Sequence, residues 1–290
     1  MKNDKKGISE FGKAKTNHFR WSYGVQFDEA GMPRGVCTEQ WICENPKPLQ
    51  ELQRAYEKAG SQVVYAPTFS ANRISLKNYG LENQVAELNK ALIEISRTAV
   101  GSQVLVAGDL TTAGKQEIPY EELLEAYREQ IVVQTQEGVD LLVAETMLGV
   151  TECMAVLDAA ASVCSLPVMC TLTVESDGSL FFGGNIYEAV ETLEEMGADA
   201  VGINCSTGPD QLLSVVENMR KRVSIPLIVK PNAGMPIINE QGQPVYSMGA
   251  QEFADCMKRL VQAGADIIGG CCGTTPEYIE KLHNIFLAHI

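Results

Sequence analysis

Histidine is scarce, with only His18, His283 and His289 among 290 residues. A His-rich metal site or a His-based nucleophile triad is therefore poorly supplied. His283 and His289 fall in the last expected helix and read as surface or packing residues. No apolar run is long enough to predict a membrane span. Met1 to Lys15 is polar and lysine-rich and lacks the apolar core of a secretory leader. Positive charge is in deficit: the formal net charge is −14 and the pI about 4.7. A nucleic-acid partner would need a basic face, and the acidity suits solubility. A cytoplasmic setting is the expectation.

Cysteine, by contrast, is plentiful. Nine occur, at 37, 43, 153, 164, 170, 205, 256, 271 and 272. In a reducing compartment such thiols point to metal or catalysis rather than to covalent staples. Three stand out. Cys271 and Cys272 sit in Gly269-Gly270-Cys271-Cys272-Gly273-Thr274-Thr275-Pro276, after the apolar run Asp266-Ile267-Ile268. Cys205 follows Ala200-Val201-Gly202-Ile203-Asn204. Both runs read as buried strands bounded by glycine. Adjacent cysteines can both ligate one ion but form only a strained disulfide. If the two strands neighbour each other, three sulfurs meet at one end of a sheet. Three thiolates and one open position describe a catalytic zinc site. The plainer reading, buried cysteines packing as small hydrophobes, fits a lone cysteine better than a glycine-flanked pair.

A helix-to-strand phrase recurs at Ala59-Gly60, Glu137-Gly138, Met196-Gly197 and Ala263-Gly264, each followed by an apolar run. Each glycine reads as the residue that ends an amphipathic helix. The spacings correspond to about two βα units. Further strands are expected at Gln103–Ala107, Pro167–Leu172 and Pro226–Val229. Amphipathic helices are expected over Pro46–Ala59, Leu81–Val100, Tyr120–Glu137, Glu152–Val163, Ile186–Met196, Asp210–Arg222, Ala250–Ala263 and Pro276–His289. Alternating βα units with non-alternating apolar strands predict a parallel sheet covered by helices. The internal period favours a closed, single (β/α)8 TIM barrel, α/β in class. Its first strand is degenerate and expected near His18–Gly24. Residues 1–17 are expected to be flexible and residues 18–290 to form one domain.

In such a barrel, chemistry collects at the carboxyl ends of the strands. The chain places Thr68, Phe69 and Asn72 there, then Asp109, Glu145 and Thr146, Thr173 and Glu175, Asn204 and Cys205, Lys230 to Gly234, and Cys271 and Cys272. Glu175 reads as loop solvation. Glu145 directly ends the apolar run Leu141–Ala144, so a buried functional carboxylate is expected. Zinc held by three thiolates is a modest Lewis acid. It suits lowering a further thiol's pKa while keeping it nucleophilic, which means alkyl transfer to or from sulfur.

These residues resemble the homocysteine S-methyltransferase family. Gly202–Pro209 and Gly269–Pro276 look like its zinc motifs, Thr68–Arg73 its TFGANR stretch, and Lys230–Pro236 its PNAG-x-P stretch. The likeness runs from about Pro46 to the C-terminus and is nearest to the homocysteine-binding module of the cobalamin-dependent branch. It implies a zinc barrel that moves a methyl group, with Cys205, Cys271 and Cys272 as catalytic metal ligands. Glu145 resembles the carboxylate that holds the homocysteine amino group. Asn72, Asp109 and Asn232 are further candidate substrate contacts. The chain departs from the family at its first turn. A DGAMGT-like segment is expected, and Arg20-Trp21-Ser22-Tyr23-Gly24-Val25 stands there instead. Arg20, Trp21 and Tyr23 are thus candidate contacts for a different group, an aromatic favouring a flat or apolar ligand.

Three functions follow. The first is zinc-dependent methyl transfer to a zinc-activated thiol, homocysteine being the first candidate acceptor. The second keeps the zinc but passes a methyl from a small methylated donor, such as an aryl methyl ether, to a separate corrinoid protein. No Asp-x-His-x-x-Gly cobalamin signature surrounds any histidine, so any cobalamin is expected on another protein docked at the barrel rim. The third is a non-catalytic zinc-binding barrel.

Overall fold

The computed structural model describes residues 17–20, 30–114, 117–239 and 244–287. Eight parallel strands close a barrel: β1 (Asn17–Arg20), β2 (Val63–Tyr65), β3 (Leu105–Thr111), β4 (Leu141–Met147), β5 (Val168–Leu172), β6 (Ala200–Asn204), β7 (Leu227–Lys230) and β10 (Ile267–Gly270). A two-stranded antiparallel hairpin, β8 (Pro236–Ile238) and β9 (Pro244–Tyr246), is inserted between β7 and the last barrel strand. The degenerate first strand closes the ring. It pairs with β10 from Asn17–Ile267 to Arg20–Gly270 and with β2 at Phe19–Val63. Positions 21–24 of the expected strand lie outside the described residues, as does segment 1–16.

Helices cover the outside: α1 (Thr38–Glu44), α2 (Pro46–Lys58), α3 (Arg73–Leu76), α4 (Val85–Ala99), α5 (Tyr120–Gln136), α6 (Val150–Val163), α7 (Ile186–Glu195), α8 (Leu213–Arg220), α9 (Ala250–Gln262) and α10 (Pro276–Leu287). The glycines of the recurring phrase all have left-handed φ, from +75° at Gly138 to +116° at Gly264. They end α2, α5, α7 and α9, as a glycine past a helix end does. Three expectations need correction. Helix α4 starts at Val85 rather than Leu81, because Leu81 N–H folds back to the Leu76 carbonyl in the turn before it. The stretch expected as one helix over 210–222 is a 3-10 turn at Pro209–Gln211 followed by α8. The third correction concerns β3, which was expected to end at Ala107. It runs to Thr111, held by five paired positions with β4. Asp109 is therefore a strand residue, not part of the loop beyond.

Strand pleat sorts the side chains. Alternate residues face the barrel interior. Val63, Tyr65, Ala107, Leu141, Val143, Met169, Ala200, Ile228 and Ile267 form an inner apolar cluster. Val64, Val106, Leu142, Cys170, Val201, Val229 and Ile268 point outward into the larger core beneath the helices. Continuing the inward parity by two residues reaches Asp109, Glu145, Thr171 and Lys230, and by four from Ala200 reaches Asn204, all buried. The fold thus places a polar layer above an apolar one on the same strands.

Candidate metal centre and adjoining polar layer

Cys205 leaves β6 and Cys271-Cys272 leave β10, so the loops that carry them emerge at the same barrel end. The three sulfurs lie within 4.8 Å of one another, with Cys205 and Cys272 at 3.4 Å. A tetrahedral zinc with bonds of about 2.3 Å needs sulfurs roughly 3.8 Å apart. The donor set and spacing therefore fit zinc. Mutual hydrogen bonding and burial hold the Cys271 thiol well above its ordinary pKa. Cys205 is also pushed up: its bond to Cys271 opposes the shift, while Cys272 and burial outweigh it. A divalent ion would reverse this, because coordination requires thiolates and releases their protons.

Backbone geometry sets the thiols. Cys205 adopts a left-handed φ of +51°, an uncommon state for a non-glycine residue. Its N–H donates to the Lys230 carbonyl at 3.1 Å, and Cys271 N–H donates to that of Pro231 at 2.8 Å. Asn232 bridges the two loops: Nδ2 donates to the Ser206 carbonyl at 2.6 Å, and Oδ1 accepts Cys272 N–H at 3.1 Å. Each end of its amide thus meets backbone, which holds the thiol loops together. Tyr246, on the inserted hairpin, hydrogen-bonds Cys272, and burial followed by the neighbouring thiols holds its phenol above the usual range. Its ring lies where Gly273 has no side chain. A Cβ there would sit 2.3 Å from Tyr246 Cγ.

Asn204 joins the metal centre to the polar layer. Its Oδ1 accepts Thr146 N–H at 2.7 Å and the Thr171 hydroxyl at 2.8 Å. Its Nδ2 donates to Thr146 Oγ1 at 2.8 Å and lies 3.9 Å from Cys271 Sγ. Thr146 is the second non-glycine residue with left-handed φ, at +56°, directly after Glu145. Glu145 itself is buried, with Lys230 Nζ 2.5 Å from its Oε2. Lys230 also donates to Tyr65 Oη at 2.8 Å. Burial alone would pull the Lys230 ammonium down, but the Glu145 and Tyr65 charges and hydrogen bonds hold it above the ordinary lysine range. Burial likewise pushes the Tyr65 phenol up.

The other sequence candidates fall as follows. Asp109 is buried in β3, and its charge is felt at the Tyr65 phenol. Asn72 caps α3, its Oδ1 accepting Ser75 N–H at 2.9 Å; it makes no hydrogen bond to the polar layer. Arg20 ends β1 opposite Gly270, one position before Cys271. Trp21 and Tyr23 lie outside the described residues. Sequence reasoning placed Lys230 in a loop and did not single it out. The signal was present: a charge ending the apolar run Leu227–Val229, on the inward parity of Ile228. Tyr246 offered no comparable signal.

A family model described as homocysteine S-methyltransferase matches residues 12–286. The chain belongs to that family. It is 29% identical over 283 residues to a methionine synthase of Mycobacterium leprae, the match covering 89% of this chain and 23% of that one. For the methionine synthase of Mycobacterium tuberculosis the identity is 28%, over 85% and 22%. This family member thus spans less than a quarter of the length of those relatives. Among solved structures, the metallated form of the homocysteine methyltransferase MmuM from Escherichia coli superposes with a TM-score of 0.81 at 22% identity, covering 96% of this chain and 98% of that one. The carboxyl transferase domain of Rhizobium etli pyruvate carboxylase gives 0.55 at 12% identity, over 98% and 50%. These two likenesses speak to the barrel alone.

Proposed function

We propose that this chain is a zinc-dependent methyltransferase whose acceptor is the thiol of homocysteine. The convergence of the Cys205, Cys271 and Cys272 sulfurs beside a buried carboxylate carries the reading. Those three side chains would hold the ion. When bound, zinc supplies Lewis acidity that makes a thiol at its open position a thiolate near neutral pH. Asn232 keeps the two thiol loops in register, and Asn204 ties them to Thr146 and so to Glu145. Glu145 accepts a hydrogen bond from the substrate amino group. A reducing, cytoplasmic compartment suits three thiols that must stay unoxidised.

A second reading concerns the methyl source. Met235, Ile237, Ile238 and Val245 leave large apolar side chains exposed on and beside the hairpin that carries Tyr246. Such an apron beside the metal centre favours delivery by a separate protein, for which a methylated corrinoid carrier is the candidate.

Isothermal titration of the zinc-loaded chain with L-homocysteine tests the acceptor. Binding with proton release, lost in Cys272→Ser, is expected. No binding at one zinc per chain would sink homocysteine as substrate.

A further inference from the structure

Lysine is almost never fully buried unless paired. Lys230 is 0% exposed and Glu145 2%. The ammonium also lies 4.2 Å from the centroid of the Tyr65 ring. The three residues come from β7, β4 and β2, none of which is adjacent to another in the barrel order. The contact is a strut across the interior. Two residues below, the same strands meet through Ile228, Val143 and Val63 with no charge at all. A buried ion pair replaced by well-packed apolar groups is often neutral or more stable, so stability gives no account of this strut.

Positioning does. The Glu145 main chain is already fixed, its carbonyl accepting the Thr111 hydroxyl at 2.9 Å and its neighbour Thr146 clamped by Asn204. Lys230 fixes the side chain by taking Oε2. We propose that Lys230 is a positioning residue that sets substrate class: it orients and charge-balances Glu145 so that the other carboxylate oxygen meets one ammonium group. The substrate class is then an α-amino-acid thiol, and thiols of equal length without the amino group are bound poorly. The proposal rests on Glu145 facing the substrate amino group, as set out above.

Calorimetry on the zinc-loaded chain compares L-homocysteine with 4-mercaptobutanoate, which has the same thiol and carboxylate without the amine. The wild type is expected to prefer homocysteine by about 10–100-fold, the range of one charge-assisted hydrogen bond. In Lys230→Met, where Glu145 is no longer held in one orientation, the preference should shrink to within about threefold while zinc content stays unchanged. A general packing defect would instead weaken both thiols together. Lys230→Gln, which keeps a donor for Glu145, is the second variant should Met fail to fold. It is expected to lose most of the preference. Full preference in either folded variant overturns the role of Lys230 alone. A wild type that binds neither thiol, or both equally, overturns the reading of Glu145 and this inference with it.

Discussion

Within one pleat the barrel interior changes from Val143, Met169 and Ile228 to Glu145, Thr171 and Lys230. Both layers are buried, face the same way and sit on the same strands. The lower layer stabilises the fold by burial, at about 25 cal/mol per Å² of apolar surface. In the upper layer the Glu145 and Lys230 charges are tolerated because each is the other's partner. Nearly equal burial therefore serves two ends, and the difference can be read from what happens when a side chain is truncated.

The largest effect should come at the top. Cys271→Ser is expected to lower zinc affinity by about a thousandfold, a rough one-ligand share of the 10–16 kcal/mol typical of such sites. Chelator competition measures it, and an unchanged affinity would remove Cys271 from the ligand set. Next, Lys230→Met should cost about 3–5 kcal/mol in urea denaturation, because Glu145 is left as an uncompensated buried charge. Adding Glu145→Gln should recover most of that loss. Ile228→Ala, one pleat below, should cost about 2–5 kcal/mol through its cavity, and Glu145→Gln should recover none of it. Equal rescue of both variants would erase the distinction between the layers.

A pH effect should separate these thiols from those elsewhere. Burial, helped by Glu39, pushes Cys37 and Cys43 up to about 11 from an ordinary value of 9.0. A thiol with a raised folded pKa contributes stability that is complete below the unfolded pKa and lost as pH rises through the folded one. The urea midpoint of the zinc-loaded chain should therefore fall between about pH 9 and 11. The fall should be smaller in Cys43→Ala, and an identical fall would reassign it. The smallest effect is expected from Tyr246→Phe at the rim. Loss of one partly exposed hydrogen bond should cost about 0.5–1.5 kcal/mol in the same assay.

Much of the fold was legible because its signals are local. The repeated glycine after each helix and the apolar run behind it located β2, β4, β6 and β10, and the remaining runs located β3, β5 and β7. The first strand was hard to see, since four residues with one histidine and one arginine carry little apolar pattern. Short α1 and α3 escaped notice for the same reason of length. Glu145 was recognised because a charge ended an apolar strand. Lys230 carried the same mark but preceded Pro231-Asn232-Ala233-Gly234, whose turn chemistry masked it.

Residue type and spacing alone determined the barrel class, the trio of candidate thiols and the expectation of a buried carboxylate, since periodicity and strand ends are properties of a short stretch of chain. Tertiary structure alone decided that the carboxylate is held by a lysine 85 residues away, that this lysine reaches a tyrosine 165 residues away, and that Asn204 links Thr146, the residue after the carboxylate, to Cys271. Those contacts cross the interior between strands that never pair. They exist only once the sheet has closed on itself, and no local pattern encodes which inward side chains closure brings face to face.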